Sequence, residues 1–380
     1  MPGYYEFFAG GGMARAGLGA GWDCLLANDI DARKARSYAE NWGDAALRVA
    51  DVGALAASDA PGRADLAWAS FPCQDLSLAG DYAGLQGARS GTFWSFWRLV
   101  EALGAEGRAP HAVVLENVCG ALTSHGGRDF AAIGAALAGG GYRFGAMVID
   151  AAWFLPQSRP RLFIVAVRAE RPIPAGLARD AADPLWRPPH LLAAWEKLPR
   201  ALRPAWVWWT LPAPPPRRSS FSDLVEDEPA GVAWRGADET ARLLAMMSTR
   251  NRAKVEEARR AGRRVVGTLY RRTRNENGRR VQRAEVRFDD VAGCLRTPAG
   301  GSSRQSILVV EGKRVRSRLL SPREAARLMG LAESYRLPEN YTDAYHLAGD
   351  GVAVPVVRYL AAHLLEPLLA AGGKAGEEAA

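Results

Sequence analysis

The sequence is poor in cysteine. It has four in 380 residues, Cys24, Cys73, Cys119 and Cys294, and no C-x-x-C pair. This spacing argues against a disulfide framework and against a zinc site, so no metal is expected and a reducing cytoplasm suits the chain. Its apolar runs fall far short of a membrane span, and no membrane partner is expected. The first residues, MPGYYEFFAG, carry neither a basic nor an apolar leader region, so no secretory signal is expected. There is no internal repeat. The third glycine of a G-x-G-x-x-G dinucleotide fingerprint is also missing, because Arg15 stands in its place. That disfavours an NAD-dependent oxidoreductase.

One stretch is short of acid. From Arg250 to Arg287 there are 14 Lys or Arg against four acids, a net of +10 in a chain of net +8. The remainder is slightly negative. A concentration of this kind is the electrostatic footprint expected for a phosphate backbone, although solvated helix faces also carry charge runs.

Short apolar segments alternate with helical ones over the first 170 residues. Strands are expected at Tyr4–Phe8, Asp23–Asn28, Leu66–Ser70, Ala112–Glu116, Tyr142–Asp150 and Leu162–Val167. Helices are expected at Met13–Ala20, Ala32–Trp42, Thr92–Leu103 and Gly127–Ala138. Strands separated by helices indicate an α/β sheet, whose ligands bind outside the carboxyl ends of the strands. After residue 170, proline clusters, the tryptophans Trp206, Trp208 and Trp209, and the basic stretch indicate a second, smaller domain over 171–342. Ser321, Pro322 and Glu324 read as a capping box opening a helix. A final helix is expected over Val354–Ala370, with 371–380 a frayed tail.

Four short motifs fall at the ends of expected strands. The glycine loop FFAGGG follows the first strand, and its Gly10 and Gly12 allow close approach of a ligand at a helix N-terminus. Asp29 ends the second strand 19 residues after Gly10, where a carboxylate meets ribose hydroxyls, and Asp51 follows a further strand candidate, LRVA. A ligand with adenosine but no pyrophosphate, such as S-adenosyl-L-methionine, fits this pattern better than NAD. "PCQ" ends the strand at Leu66–Ser70, "LENV" ends another, and "QSRPR" precedes a third. Singly, these residues have ordinary readings: a buried thiol, a helix-capping glutamate, surface arginines. Together at one sheet rim, Cys73, Glu116, Arg159 and Arg161 make a nucleophile, an acid and an electropositive clamp.

At this point the sequence resembles the bacterial type of DNA (cytosine-5)-methyltransferase. FFAGGG, Asn28-Asp29, Asp51-Val52, FPCQDLS, SGTFW, ENV, QSRPR, RLLSPREAARLMG and AGDGVAVPVV come in the family's order. The resemblance implies a Rossmann-like methyltransferase sheet in 1–170, a target-recognition domain in 171–342 and a returning segment in 343–370. It implies methyl transfer from S-adenosyl-L-methionine to C5 of a flipped cytosine. Cys73 would attack C6, Glu116 would protonate N3, Arg161 would contact O2, and Arg159 would support the loop. Phe8, Gly10, Gly12, Asp29, Ile30, Asp51, Val52 and Pro72 would hold the cofactor. Gln74 and Ser77, in a loop over 74–80 that closes on the base, and Arg271, Arg272, Arg274 and Arg296 would meet DNA. The implied partner is double-stranded DNA, with a cognate restriction endonuclease if the chain works in restriction-modification and none if it is a solitary methylase, for a monomer in the cytoplasm at the nucleoid. RNA (tRNA) is the rival substrate, and a DNA-binding protein without catalysis the rival class. Two departures stand out: Glu6 replaces the family's usual Asp, and Asp350-Gly351 replace Asn and Ser.

Overall fold

The computed structural model describes residues 1–72, 91–296 and 303–377, with side chains described as far as 371. Cys73, Gln74, Ser77 and the loop 74–80 therefore lie outside the described residues. The chain forms two compact units. The first comprises Met1–Asp150, Pro160–Pro214 and Val352–Ala380; the second comprises Ala151–Arg159 and Pro215–Gly351.

The first unit is built on β1 (Gly3–Phe7), α1 (Met13–Leu18), β2 (Asp23–Asp29), α2 (Ala32–Trp42), β3 (Leu47–Val49), β4 (Leu66–Ala69), α3 (Thr92–Ala105), β5 (Ala112–Asn117), α4 (Arg128–Gly139), β6 (Tyr142–Asp150) and β7 (Pro160–Arg168). The strands form one seven-stranded sheet in the order β3-β2-β1-β4-β5-β7-β6. Four neighbouring pairs are parallel, and β7 runs antiparallel to both β5 and β6. After β3 at one edge the chain returns to place β4 on the other side of β1. The order reverses there, and the carboxyl ends of β1 and β4 flank the place where such sheets bind ligands.

Strand alternation decides which side chains reach which face. Tyr5 and Phe7 join a core with Phe93, Phe96 and Trp97 of α3 and Phe130 and Ile133 of α4. The intervening Glu6 points to the opposite face, under α1. There α1 meets α11 (Val354–Leu360) so closely that a Cβ at Gly17 would lie 2.4 Å from Val357.

The expected boundary at residue 170 moves, because 171–214 pack on this sheet. Trp206 packs edge-on against Phe144 at 5.4 Å, and Trp209 donates from Nε1 to the Val165 carbonyl at 2.9 Å. The crossing is close enough that a Cβ at Gly145 would fall 1.9 Å from the Val207 carbonyl oxygen. This segment also holds β8 (Ala178–Arg179), α5 (Pro189–Glu196) and β9 (Trp208–Trp209). The helix expected over Val354–Ala370 starts as α11, passes through a π turn at Ala361–Leu365 and runs on as α12 (Glu366–Glu377). Residues 371–377, expected as frayed tail, are thus helical; extending an existing helix avoids the nucleation cost. The helical run Tyr341–Ala371 has the length and hydropathy of a membrane span, yet 61% of its apolar window is buried, as in a core helix.

The second unit contains α6 (Phe221–Leu224), α7 (Ala237–Ala245), α8 (Thr249–Arg260), β10 (Arg264–Glu276), β11 (Arg279–Arg287), β12 (Ser306–Glu311), β13 (Arg314–Leu319), α9 (Pro322–Leu328) and α10 (Tyr341–Asp350). Its four strands form an antiparallel sheet, β11-β10-β12-β13. Val255 and Ala258 of α8 pack with Leu269, Ala284, Val286 and Leu308. The Ser321 capping box forms as expected at α9. Its Glu324 is also the partner of the wholly buried Arg318, through bonds of 2.8 and 2.6 Å. Removing one member of such a pair strands a buried charge, which is strongly destabilising.

Candidate active site

Three strand ends of the first unit carry candidate residues. After β1, Phe8 takes φ +59°, a left-handed conformation uncommon for a bulky side chain. Gly10 and Gly12 follow at φ +56° and +76°. A Cβ at Gly12 would lie 2.4 Å from Trp42 Nε1, so both space and backbone require glycine there. A Cβ at Gly10 would meet nothing within 4 Å. The backbone at Gly10 therefore borders open space beside the start of α1.

Asp29, at the end of β2, shapes this loop. Its Oδ2 accepts from the Gly10 N–H and its Oδ1 from the Asp31 N–H, both at 2.8 Å. Next to it Ile30 is 66% exposed, an apolar side chain presented to solvent. Asp51 is exposed and accepts from the Gly53 N–H at 2.7 Å. The Val52 side chain is buried in the core. The open space at Gly10, the fixed carboxylate of Asp29 and the exposed Ile30 suit a ligand with a ribose and a flat apolar base.

The next strand end leads to Cys73. Phe71 is buried against Phe93, with ring centroids 5.6 Å apart, and Pro72 is half-buried. Asn117 donates from Nδ2 to the Phe71 carbonyl at 3.1 Å, and its Oδ1 accepts from the Val118 N–H at 2.8 Å. The middle residue of the ENV motif thus fixes the chain two residues before Cys73. The motif was legible in the sequence, but this task for Asn117 was not.

Glu116 precedes Asn117 on β5 and is buried. Arg161 on β7 brings its Nε to 3.3 Å from Glu116 Oε1, with both side chains mostly shielded. The antiparallel register that pairs Asn117 with Leu162 places Arg161 at this end of β5. The sheet therefore assembles the expected acid and clamp into an ion pair.

Arg159 has a different setting, in the second unit. It is 2% exposed, and its Nη2 donates to the carbonyls of Gly349 and Gly351 at 2.8 and 2.7 Å. Its Nη1 donates to Leu295 O at 3.3 Å. Its guanidinium ties the backbone at Leu295 to that at Gly349 and Gly351. Gln157 is fully buried beside it, donating to Leu328 O at 2.7 Å and accepting from the Leu295 N–H at 3.1 Å. So "QSR" is stitched into the second unit, while Pro160 and Arg161 open β7 of the first.

The basic stretch becomes α8 and the long hairpin β10–β11. Its turn is Asn277-Gly278, both at positive φ, the geometry that matches hairpin twist. The N-G dipeptide was the signal that could have revealed it. Arg271, Arg272 and Arg274 lie on the exposed outer part of β10, and Arg296 is exposed beyond β11. Arg274 is already engaged, with Nε and Nη2 on Glu285 at 2.5 and 2.8 Å, and Arg272 Nε is 3.5 Å from the same carboxylate.

The profile of the C-5 cytosine-specific DNA methylases matches residues 4–366. The chain belongs to that family. The type II methyltransferase M.NlaX of Neisseria lactamica is 25% identical over 374 residues, covering 96% of both chains. M.HpaII of Haemophilus parainfluenzae is 24% identical over 388 residues, covering 96% of this chain and 89% of its own. Among solved structures, the S. pombe Dnmt2 methyltransferase aligns over 97% of this chain and 99% of that one, with TM-score 0.57 and 18% identity. The Entamoeba histolytica methyltransferase EhMeth aligns over 97% and 98%, with TM-score 0.59 and 14% identity. These two likenesses speak for the fold alone.

Within this family member, the two departures now have places. Asp350 ends α10 with its side chain exposed, and the carbonyls on either side of it receive Arg159. Glu6 is buried beneath α1, with the Arg15 N–H at 3.4 Å on its Oε1 and no hydrogen-bond partner on Oε2. Burial pushes its carboxyl up to about 8. The unfolded carboxyl releases its proton near 4.5, while the folded one holds it to about 8. The stability that this carboxyl contributes is therefore full below pH 4.5 and is lost as pH rises through about 8. Thermal melts should show the wild type losing more stability between pH 5 and 8 than Glu6→Gln, which has no proton to lose. Equal pH slopes for the two would contradict the assignment.

Proposed function

We propose that the chain transfers a methyl group from S-adenosyl-L-methionine to C5 of cytosine in duplex DNA. The observation that carries this reading is the buried Glu116–Arg161 pair beside the anchored approach to Cys73. The donor, when bound, supplies an electrophilic methyl group; Asp29, Ile30, Phe8 and the Gly10 backbone are the residues to hold it, with Asp51 and Pro72 at the rim.

Cytosine C5 is a poor nucleophile in the neutral ring. Addition of the Cys73 thiolate to C6, with proton delivery from Glu116 to N3, leaves an enamine across C4 and C5. Arg161, already oriented by Glu116, fits the O2 edge. C5 of this enamine would take the methyl group, the new C–C bond forming as the donor's sulfonium–methyl bond breaks to leave a thioether. Loss of the C5 proton then expels the thiolate, and the proton on N3 returns to the Glu116 carboxylate, which restores the ring. A good leaving group that is also a soft nucleophile is needed, which suits cysteine. The base must leave the helical stack to enter such a site. The curated relatives are named type II methyltransferases, which supports a restriction-modification setting with a cognate endonuclease; a solitary methylase is the other setting.

The test supplies methyl-tritiated S-adenosylmethionine with either mixed-sequence duplex DNA or tRNA. Label is expected in DNA. Label confined to tRNA would replace the substrate while keeping the chemistry. Label in neither would overturn the reading.

A further inference from the structure

In the second unit an open cavity of about 310 Å³ lies between the first turns of α8 and the root of the β10–β11 hairpin. Its lining includes five cations: Arg250, Lys254, Arg272, Arg274 and Arg287. Two carboxylates answer them. Glu285 is shared by Arg272 and Arg274, and Asp289 holds Arg287 at 2.6 Å. Arg250 and Lys254 have no ion-pair partner within 4.0 Å among the described residues, and Lys254 adds to the positive field on Glu285.

The cavity is built rather than incidental. Asn251 Oδ1 accepts from the Val286 N–H, and Lys254 Nζ donates to the Val286 carbonyl, both at 3.1 Å. These bonds lock α8 against β11 and bring Lys254 to the wall. Ser248 caps α8 through the Asn251 N–H, so the positive end of the helix dipole opens toward the same side. Like charges held this close repel one another unless an anion joins them.

We propose that this pocket holds a backbone phosphate of the duplex, with Arg250 and Lys254 as its ligands. A phosphodiester is favoured over a free anion because the positive track continues: exposed Arg279 and Arg280 stand at the hairpin's outer end. The pocket reads charge, not sequence, and it fixes the hairpin's register on DNA while Arg272 and Arg274 are held by Glu285. This assignment rests on the duplex-DNA reading above.

The experiment measures binding of a labelled mixed-sequence duplex by fluorescence anisotropy across a KCl series. The proteins are wild type, Arg250→Ala/Lys254→Ala, Arg250→Gln alone, and Arg260→Ala/Arg263→Ala as a charge-matched control outside the pocket. Each lost phosphate contact lowers the slope of log K against log salt by about 0.9. The pocket double variant should lose about 0.9 of slope, Arg250→Gln about half of that, and the control much less. Equal losses in pocket and control variants, or an unchanged pocket variant, would overturn the site. A wild type that binds no duplex would instead overturn the reading beneath it. In parallel, inorganic phosphate is compared with chloride at equal ionic strength in thermal melts. A phosphate-dependent rise in Tm, lost in the double variant while its salt slope is kept, would make this a free-anion site and overturn the phosphodiester assignment.

Discussion

Cys73→Ser should abolish turnover, with a loss on the order of 10⁴-fold or more, the scale seen when a covalent nucleophile is removed. The argument rests on the thiol's chemistry. Serine's alkoxide is scarcely populated at neutral pH and is a poor leaving group from C6, so both addition and release suffer. Cys24 and Cys119 are poor substitutes. Cys119, three residues after Glu116, is half-buried, and burial pushes its thiol up to about 11. Cys24 is raised for the same first reason, burial. DNA carrying 5-fluorocytosine should trap the wild type covalently, because fluorine cannot leave as the C5 proton does. The trapped band should disappear in Cys73→Ser and persist in Cys119→Ser. A persistent band in Cys73→Ser would assign the nucleophile elsewhere.

The second large effect is expected at Glu116. Glu116→Gln keeps an oxygen that can accept from Arg161 Nε, so the fold should lose only about 1 kcal/mol in a denaturant titration. The amide has no proton to deliver to N3. The rate constant for transfer should therefore fall by about 10² to 10⁴, the usual worth of general acid catalysis. Because the loss arises in the transition state, kcat should fall far more than KM rises. A variant within about threefold of wild type in kcat would remove Glu116 from the chemistry.

Much of the first unit was legible because its strands are short apolar runs and its helices are amphipathic. The expected strand at Tyr142–Asp150 and helix at Ala32–Trp42 match the structure residue for residue. The antiparallel return of β7 was not legible, since strand direction is set by the connection and both directions bury the same apolar run. The assignment of 171–214 failed because proline and tryptophan clusters resemble a linker in composition, whereas Trp206 and Trp209 bind the sheet through long-range contacts. The site motifs were legible as residue types. What they touch was not: the Asn117 bond to Phe71 and the capture of Arg159 by the carbonyls around Asp350 join positions 46 to 192 residues apart.

The most direct measurement of the central claim is nucleoside analysis by mass spectrometry of DNA treated with the purified protein and S-adenosylmethionine. The account predicts 5-methyldeoxycytidine and no other methylated nucleoside. N4-methyldeoxycytidine or N6-methyldeoxyadenosine would contradict it, because methylation of an exocyclic amine needs no thiolate at C6 and leaves Cys73, Glu116 and Arg161 without their roles.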